Sequence, residues 1–166
     1  MGYMTRIKAA ANRWPHTHRM SSTGLSVFDT TLQKTDYWLK ELMRLLDWDG
    51  KQKAYLALRA ALHALRNRPT TDEVAQLAAQ FPMLVRGLYY EGWDPTGKPV
   101  KARHEETFLD RIRDAFRDDY SVDPERVARA VFTLLATQIS AGEIEDVQLM
   151  LPAALRGLRS PIQDSA

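Results

Sequence analysis

The same pattern of residues occurs twice in this chain, at a constant separation of 70 positions. Phe81 to Leu88 reads FPMLVRGL, and Leu151 to Leu158 reads LPAALRGL. Apolar, charged, proline and glycine positions all keep this separation without a gap: Leu39 and Leu109, Arg59 and Arg129, Glu73 and Glu143, Pro82 and Pro152, Gly87 and Gly157. Such a period is typical of a duplicated supersecondary unit. Two copies are too few for a solenoid, so a closed pseudo-twofold bundle is predicted.

The apolar residues follow a helical period in almost every part of the chain. Two stripes with steps of three and four are Trp38, Leu39, Leu42, Leu45, Leu46 and Phe108, Leu109, Ile112, Ala115, Phe116. Each set falls on one face of an amphipathic helix, and the alternation typical of strands is missing. The sequence therefore predicts an all-α, single-domain helical bundle built from two tandem pseudo-repeats of about four helices each. The residues expected in its core are Leu42, Leu46, Leu58, Leu62, Leu65, Ile112, Phe116, Val131, Leu134 and Leu135.

Capping signals mark where several helices begin. The second helix of each half should run from about Lys51 to Leu65 and from Pro124 to about Gln138, with Asp49 and Asp123 as N-caps. Thr70 and Ser140 are each followed three residues later by a glutamate, which is the spacing of a capping box. Both halves should therefore continue into a short third helix.

Composition and charge divide the chain into an arm and a body. Residues 1 to 28 carry four basic residues, Arg6, Lys8, Arg13 and Arg19, and no acidic residue, although the net charge of the whole chain is only +2. The body is therefore mildly acidic. The predicted organisation is a basic N-terminal arm over 1–27, a duplicated domain over 28–160 and a flexible tail over 160–166. Within the domain we expect repeat one at about 28–91, a linker at 92–102 and repeat two at about 103–159.

The arm has a helical pattern of its own. Tyr3, Ile7, Ala10 and Trp14 share one face of a helix over Tyr3 to Arg13, while Arg6 and Arg13 share another. A helix of about a dozen residues is marginal alone in water. The arm is therefore expected to be disordered or to dock by its apolar face on the body or on a neighbouring chain, and deleting it is expected to convert an oligomer to a monomer.

Four segments carry a resemblance to a known family: FDTTLQKTDYWLKELM, AYLALRAALHALRNR, FPMLVRGLYYEGWDP and RAVFTLLATQISAGEIEDVQLMLPAALRGL. In combination they resemble the bacterial proteins grouped as domain of unknown function 2267, over roughly Phe28 to Leu158. The resemblance implies an all-helical domain with paired repeats. It implies no catalytic or binding residues, and the arm lies outside it.

Motifs for metal or catalytic chemistry are incomplete. Asp47 to Gly50 resembles the start of a calcium loop, but Lys51 and Leu58 occupy positions that require oxygen ligands. His16 and His18 lack a nearby third ligand. The Gly-x-Ser-x-Gly elbow that exposes a nucleophilic serine is absent from the sequence. No metal, cofactor or catalytic residue is therefore expected, and a non-catalytic role is favoured.

Charged residues that match between the halves have two interpretations. They are Arg59 with Arg129, Glu73 with Glu143, and Arg86 with Arg156. They could line two equivalent anion sites, or they could be structural, with each arginine stem packed on the bundle and its guanidinium bonded to a helix end or a carboxylate. Duplication favours the structural interpretation.

Aromatic residues that do not match between the halves are the more informative set. The first half has Trp48, Tyr55, Tyr89, Tyr90 and Trp93, where the second half has mostly polar residues. These rings either cover the seam between the halves under the linker or form a candidate interaction surface. Tyr89, Tyr90 and Trp93 are expected to lie close together, with at least one ring partly exposed.

Function is predicted only in outline. The leading hypothesis is a non-catalytic protein–protein interaction or self-association module that uses the aromatic surface and the arm. The alternative is nucleic-acid binding through the basic arm, and a small-ligand or enzymatic role comes third because acid, base and nucleophile do not converge. The absence of cysteine fits a reducing compartment. A cytoplasmic location is expected, because neither a secretory signal nor an apolar run of about 18 residues appears.

Overall fold

Helices account for nearly all of the secondary structure. The computed structural model describes residues 23–96 and 105–150, together with Arg156. Across these residues the chain forms seven helices and no strand, so the predicted all-α, single-domain fold is confirmed. In chain order the helices are α1 (Ser26–Leu46), α2 (Lys51–Arg66), α3 (Thr71–Ala79), α4 (Met83–Tyr90), α5 (Glu105–Ala115), α6 (Pro124–Gln138) and α7 (Ala141–Met150). The eighth predicted helix falls on residues that, apart from Arg156, lie outside this description.

Four helices form the centre of the bundle. α1 pairs with α2 and α5 pairs with α6, while α1 also packs on α6 and α2 packs on both α5 and α6. The predicted core is confirmed, since all ten of its residues are buried. α2 is enclosed most completely: its alanines Ala54, Ala57, Ala61 and Ala64 are at most 2% exposed. Such small side chains allow neighbouring helices to approach α2 closely.

The predicted helix starts are confirmed at two positions and wrong at one. Asp123 accepts from the backbone N–H of Glu125 ahead of Pro124, and Thr70 forms a complete capping box with Glu73. The prediction that Asp49 caps α2 is wrong. Gly50 is the N-cap, because its carbonyl accepts the first intrahelical hydrogen bond of α2 from the N–H of Ala54, and glycine has no side chain that could add a capping bond. Asp49 therefore lies one residue too early.

The short helix α4 is held at both ends by side chains from the central helices. At its start, the backbone N–H of Leu84 donates to Oγ1 of Thr31 in α1 at 3.1 Å. At its end, Nη1 of Arg66 in α2 donates to the carbonyl oxygens of Tyr89 and Glu91, at 2.6 Å each. These bonds fix α4 beside the first half of α1.

Candidate interaction surface

The structure separates the predicted aromatic residues into different environments. Trp48 packs edge-on against Phe116, with ring centroids 6.0 Å apart, and the ammonium of Lys53 lies 4.6 Å from the Trp48 ring. Lys53 also forms an ion pair with Asp119 at 2.9 Å. Trp48 therefore lies at a contact between the first and second halves of the chain. Tyr55 is half-buried on α2.

The remaining predicted rings belong to a continuous row. Tyr89, Tyr90 and Trp93 lie in sequence order, with successive centroids 5.7 and 5.5 Å apart. Sequence reasoning missed two further members, Trp38 and Phe81, which extend the row from the other side of Tyr89 at spacings of 5.7 and 5.2 Å. We call these five rings the aromatic row. Tyr89 is fully buried, whereas Tyr90 and Trp93 are half-buried.

Charged and polar groups surround the end of α4. Arg59 pairs with Glu91 at 2.7 Å, and this contact lowers the pKa of the Glu91 carboxyl. His63 donates from Nε2 to the carbonyl of Leu88 at 2.8 Å, and burial lowers the pKa of its imidazole. Burial also lowers the pKa of Arg66. These bonds secure the last turn of α4.

The same cluster contains polar atoms that lack hydrogen-bond partners among the described residues. They are Nε of Arg66, the hydroxyl of Tyr89 and Nε1 of Trp93, all of them buried. Burial raises the pKa of the Tyr89 phenol, so this hydroxyl stays protonated at neutral pH.

Each repeat-matched charged residue makes a hydrogen bond within the chain, and that of Arg59 is the pair with Glu91 given above. Arg86 donates from Nε to the carbonyl of Ala78 at 3.0 Å, and Arg156 donates from Nη2 to the carbonyl of Leu149 at 3.0 Å. Arg129 pairs with Glu125 one turn earlier in α6. The remaining pair lies at helix starts: Glu73 completes a capping box, and the N–H of Glu143 donates to Ser140 at 3.5 Å.

A groove lies between α1 and the segment that joins α3 to α4. It consists of two adjoining cavities of about 490 and 330 Å³, which share Lys34, Phe81 and Pro82. Trp38 and Tyr37 line the larger cavity, and Val27 and Met83 line the smaller one. Trp38 and Phe81 of the aromatic row therefore line the groove.

Several exposed apolar side chains line this groove. Val27 is 54% exposed, Tyr37 54% and Met83 49%. We define the α1–α4 surface as these three residues together with Leu25, Phe28, Leu32 and Leu84, all of which are exposed. Sequence reasoning missed this surface, although the spacing of Leu25, Phe28 and Leu32 already places an apolar face before the buried part of α1.

Several predicted features lie outside the described residues. These include the basic arm with Arg6, Lys8, Arg13 and Arg19. In the part of the chain that is described, there is no group of three or more histidine, cysteine or acidic side chains that could hold a metal ion. Over the same residues, no helix is long and apolar enough to cross a membrane.

Comparison with known proteins assigns the chain to a family but identifies no activity. A search of curated proteins finds no match to the chain. A family model described as "Uncharacterized conserved protein (DUF2267)" matches residues 35–158. The matched segment includes most of α1 and all of the helices that follow it. Because this match spans well over half of the sequence, the chain belongs to the DUF2267 family.

Proposed function

We propose that this protein is a non-catalytic module for protein–protein interaction or self-association, and that it binds through the α1–α4 surface. The observation that carries the proposal is the exposure of large apolar side chains around one groove, including Val27, Tyr37 and Met83. Monomeric soluble proteins rarely expose large contiguous apolar patches, and such patches mark sites of interaction.

Exposed apolar residues of the two helices meet at the groove. Val27 of α1 and Met83 of α4 line the same cavity. The next residue, Leu84, bonds through its N–H to Thr31 and so lies directly beside α1. Leu25, Phe28 and Leu32 follow helical spacing and share one face of the chain at the start of α1. A partner could therefore contact both helices at once.

The aromatic row has a supporting role in this proposal. Tyr89 is fully buried, and the row connects the lining of the groove at Trp38 and Phe81 with Tyr90 and Trp93 at the far end of α4. A row of packed rings gives the groove a rigid base. Tyr90 and Trp93 remain candidates for a second contact with a partner, and Trp93→Ala tests them.

The test changes two exposed residues of the α1–α4 surface together, Val27→Glu and Met83→Glu. Both residues lie in the first turn of a helix, where the helix dipole favours an acidic side chain, so the helices should remain intact. Molar mass in solution is measured by light scattering and sedimentation over a range of protein concentrations. Contacts with other proteins are measured by crosslinking in the host cell followed by mass spectrometry.

We expect the double variant to lose self-association, or to lose the crosslinked partner, while its melting temperature stays unchanged. Tyr120→Glu is the matched control, because Tyr120 is 96% exposed on the α5–α6 connection, away from the groove. Tyr120→Glu should behave like the unmodified protein. The proposal fails if the double variant keeps every contact, or if Tyr120→Glu removes the same contacts.

Nucleic-acid binding through the arm is the second candidate, because four basic residues and no acidic ones occur in residues 1 to 28. If all four bind phosphates of duplex DNA, log affinity should fall with log salt with a slope of roughly −3.6. Deletion of residues 1 to 20 should then abolish the binding. Binding that survives this deletion unchanged excludes the arm as the nucleic-acid contact.

A further inference from the structure

We infer that the groove beside α1 is the docking site for the N-terminal arm of the same chain, which covers the α1–α4 surface until a partner displaces it. The occupant is the segment 1–22, with Tyr3, Ile7, Ala10 and Trp14 as its apolar face. This inference rests on the proposed function in one respect: the docked arm competes with a partner only if partners bind the α1–α4 surface.

The chain enters the described fold at the end of the groove. Thr23 is bonded to Asp29 in the first turn of α1, with Oγ1 donating to Oδ1 at 2.9 Å and the backbone N–H donating to the same atom at 3.2 Å. Ser26 and Val27, the first two residues of α1, line the smaller cavity. The arm is therefore anchored where the groove begins.

The lengths of the arm and the groove match. The groove follows α1 from Ser26 to Trp38, which is about 18 Å at 1.5 Å per helical residue. A helix over Tyr3 to Arg13 is about 15 Å long by the same measure. Residues 15–22 remain as a tether that can extend about 26 to 29 Å, enough to bring such a helix back along α1.

The chemistry of the two surfaces favours an apolar contact. The groove offers Trp38, Phe81 and Pro82 in its lining, with Met83 at its rim. A short helix that is marginal alone becomes stable when its apolar face is buried. Lys34 lines both cavities and has the same sign of charge as the basic side of the arm. Docking should therefore tolerate high salt, unlike binding to nucleic acid.

The tether also favours docking of the chain's own arm over docking of the arm of a second copy. A short flexible linker holds its segment at an effective concentration in the millimolar range. Because this exceeds the protein concentration of a dilute solution, docking within one chain is favoured there over exchange between chains.

The test uses paramagnetic broadening of NMR signals. Because the chain contains no cysteine, a nitroxide attaches only at a single introduced cysteine. A nitroxide is attached to Lys34→Cys in the full-length protein, and the amide signals of residues 3–14 are compared with those after reduction of the label. The matched control carries the label at Asp118→Cys. Asp118 is exposed on the α5–α6 connection near Phe116, which packs on Trp48 beyond the opposite end of α1.

We expect the label at Lys34→Cys to remove most of the intensity of the arm signals, at low and at high salt, and the label at Asp118→Cys to leave them intact. A sample that mixes isotope-labelled protein without nitroxide and unlabelled protein with nitroxide should show no loss. The inference is overturned if Lys34→Cys causes no loss, if both labels cause equal loss, or if the mixed sample loses intensity, which would indicate exchange between chains.

Deletion of residues 1–22 separates this inference from the proposed function. If the arm signals broaden but the deletion leaves all partner contacts unchanged, the arm docks in the groove without competing with a partner, and the competitor role is overturned. If Lys34→Cys causes no broadening while Val27→Glu with Met83→Glu abolishes association, the proposed function stands and arm docking is overturned.

Discussion

Oγ1 of Thr31 accepts a hydrogen bond from the backbone N–H of Leu84 at 3.1 Å, so a side chain of α1 caps the first turn of α4. The N-cap of α4 is Pro82, which provides no side-chain bond. The first N–H groups of any helix lack partners within that helix. Thr31 therefore fixes the start of α4 relative to α1 and, with it, the width of the groove.

Replacing Thr31 tests this relationship. Thr31→Val keeps the shape of the side chain and leaves the Leu84 N–H without its partner, so the free energy of unfolding should fall by about 1 kcal/mol in urea titrations. Thr30→Val is the matched control, because the Thr30 hydroxyl donates to the Ser26 carbonyl within α1 itself. Its effect should stay within about 0.5 kcal/mol. Equal effects at the two positions would contradict the capping role.

Truncation of a central leucine should be costly. Leu62 in α2 is 0% exposed, and Leu62→Ala should lower the free energy of unfolding by about 2 to 5 kcal/mol, because it leaves a cavity among closely packed helices. Leu149 is 67% exposed, and Leu149→Ala should change stability by less than about 0.5 kcal/mol. Chemical denaturation of both variants checks the assignment of the core, which a small effect at Leu62 would refute.

Arg66 should matter more for stability than an arginine in a surface ion pair. Arg66→Met removes the donor to the carbonyls of Tyr89 and Glu91 and should cost about 1.5 to 3 kcal/mol, the range for hydrogen bonds to charged groups. Arg129→Met breaks only an exposed pair with Glu125 and should cost less than about 1 kcal/mol. Thermal and urea unfolding compare the two. An equal cost would show that Arg66 does not hold the end of α4.

His63 should make stability depend on pH. Burial lowers its pKa below the ordinary 6.5, and Arg59 and Arg66 act in the same direction against the opposite effect of Glu91 and the bond to Leu88. The folded state therefore binds fewer protons than the unfolded state near this pH. The resulting stability is fully present above pH 6.5 and is lost as the pH falls through 6.5 toward the folded pKa.

Two measurements check this dependence. NMR titration should give His63 a midpoint below 6.5, and His63→Gln should flatten the curve of stability against pH in the acid range. A midpoint at or above 6.5 would mean that the imidazole is more accessible to water than its surroundings indicate.

The sequence predicted the bundle well because helical spacing decides which side chains are buried. Leu42 and Ile112 are 0% exposed, as their positions in the two stripes require. The exposed apolar surface could not be predicted in the same way. Phe28 and Leu32 have the same spacing, yet they are 43% and 41% exposed, and a sequence does not contain that information directly. The predicted cap at Asp49 was wrong for a more local reason, because α2 begins one residue later than a cap at Asp49 requires.

The duplication of the chain remains a prediction that two observations support. Arg86 donates to the carbonyl of Ala79 at 3.4 Å and Arg156 donates to that of Leu149 at 3.0 Å, and both members of the second pair lie 70 positions after those of the first. If α5 is the counterpart of α1 and α6 is the counterpart of α2, the α1–α6 contact corresponds to the α2–α5 contact. Both contacts are present. Pro152, the counterpart of Pro82, lies outside the described residues.

The crossed packing of the central helices has a consequence for how the chain acquires its fold. α1 packs on α6 and α2 on α5, and Arg126 in α6 donates to the carbonyl of Leu46 at the end of α1 at 2.7 Å. Each half buries part of its apolar surface only against the other half, so the bundle should unfold in one cooperative transition. During synthesis, the first four helices cannot complete their packing until α6 has left the ribosome. Until then their apolar faces are available to chaperones.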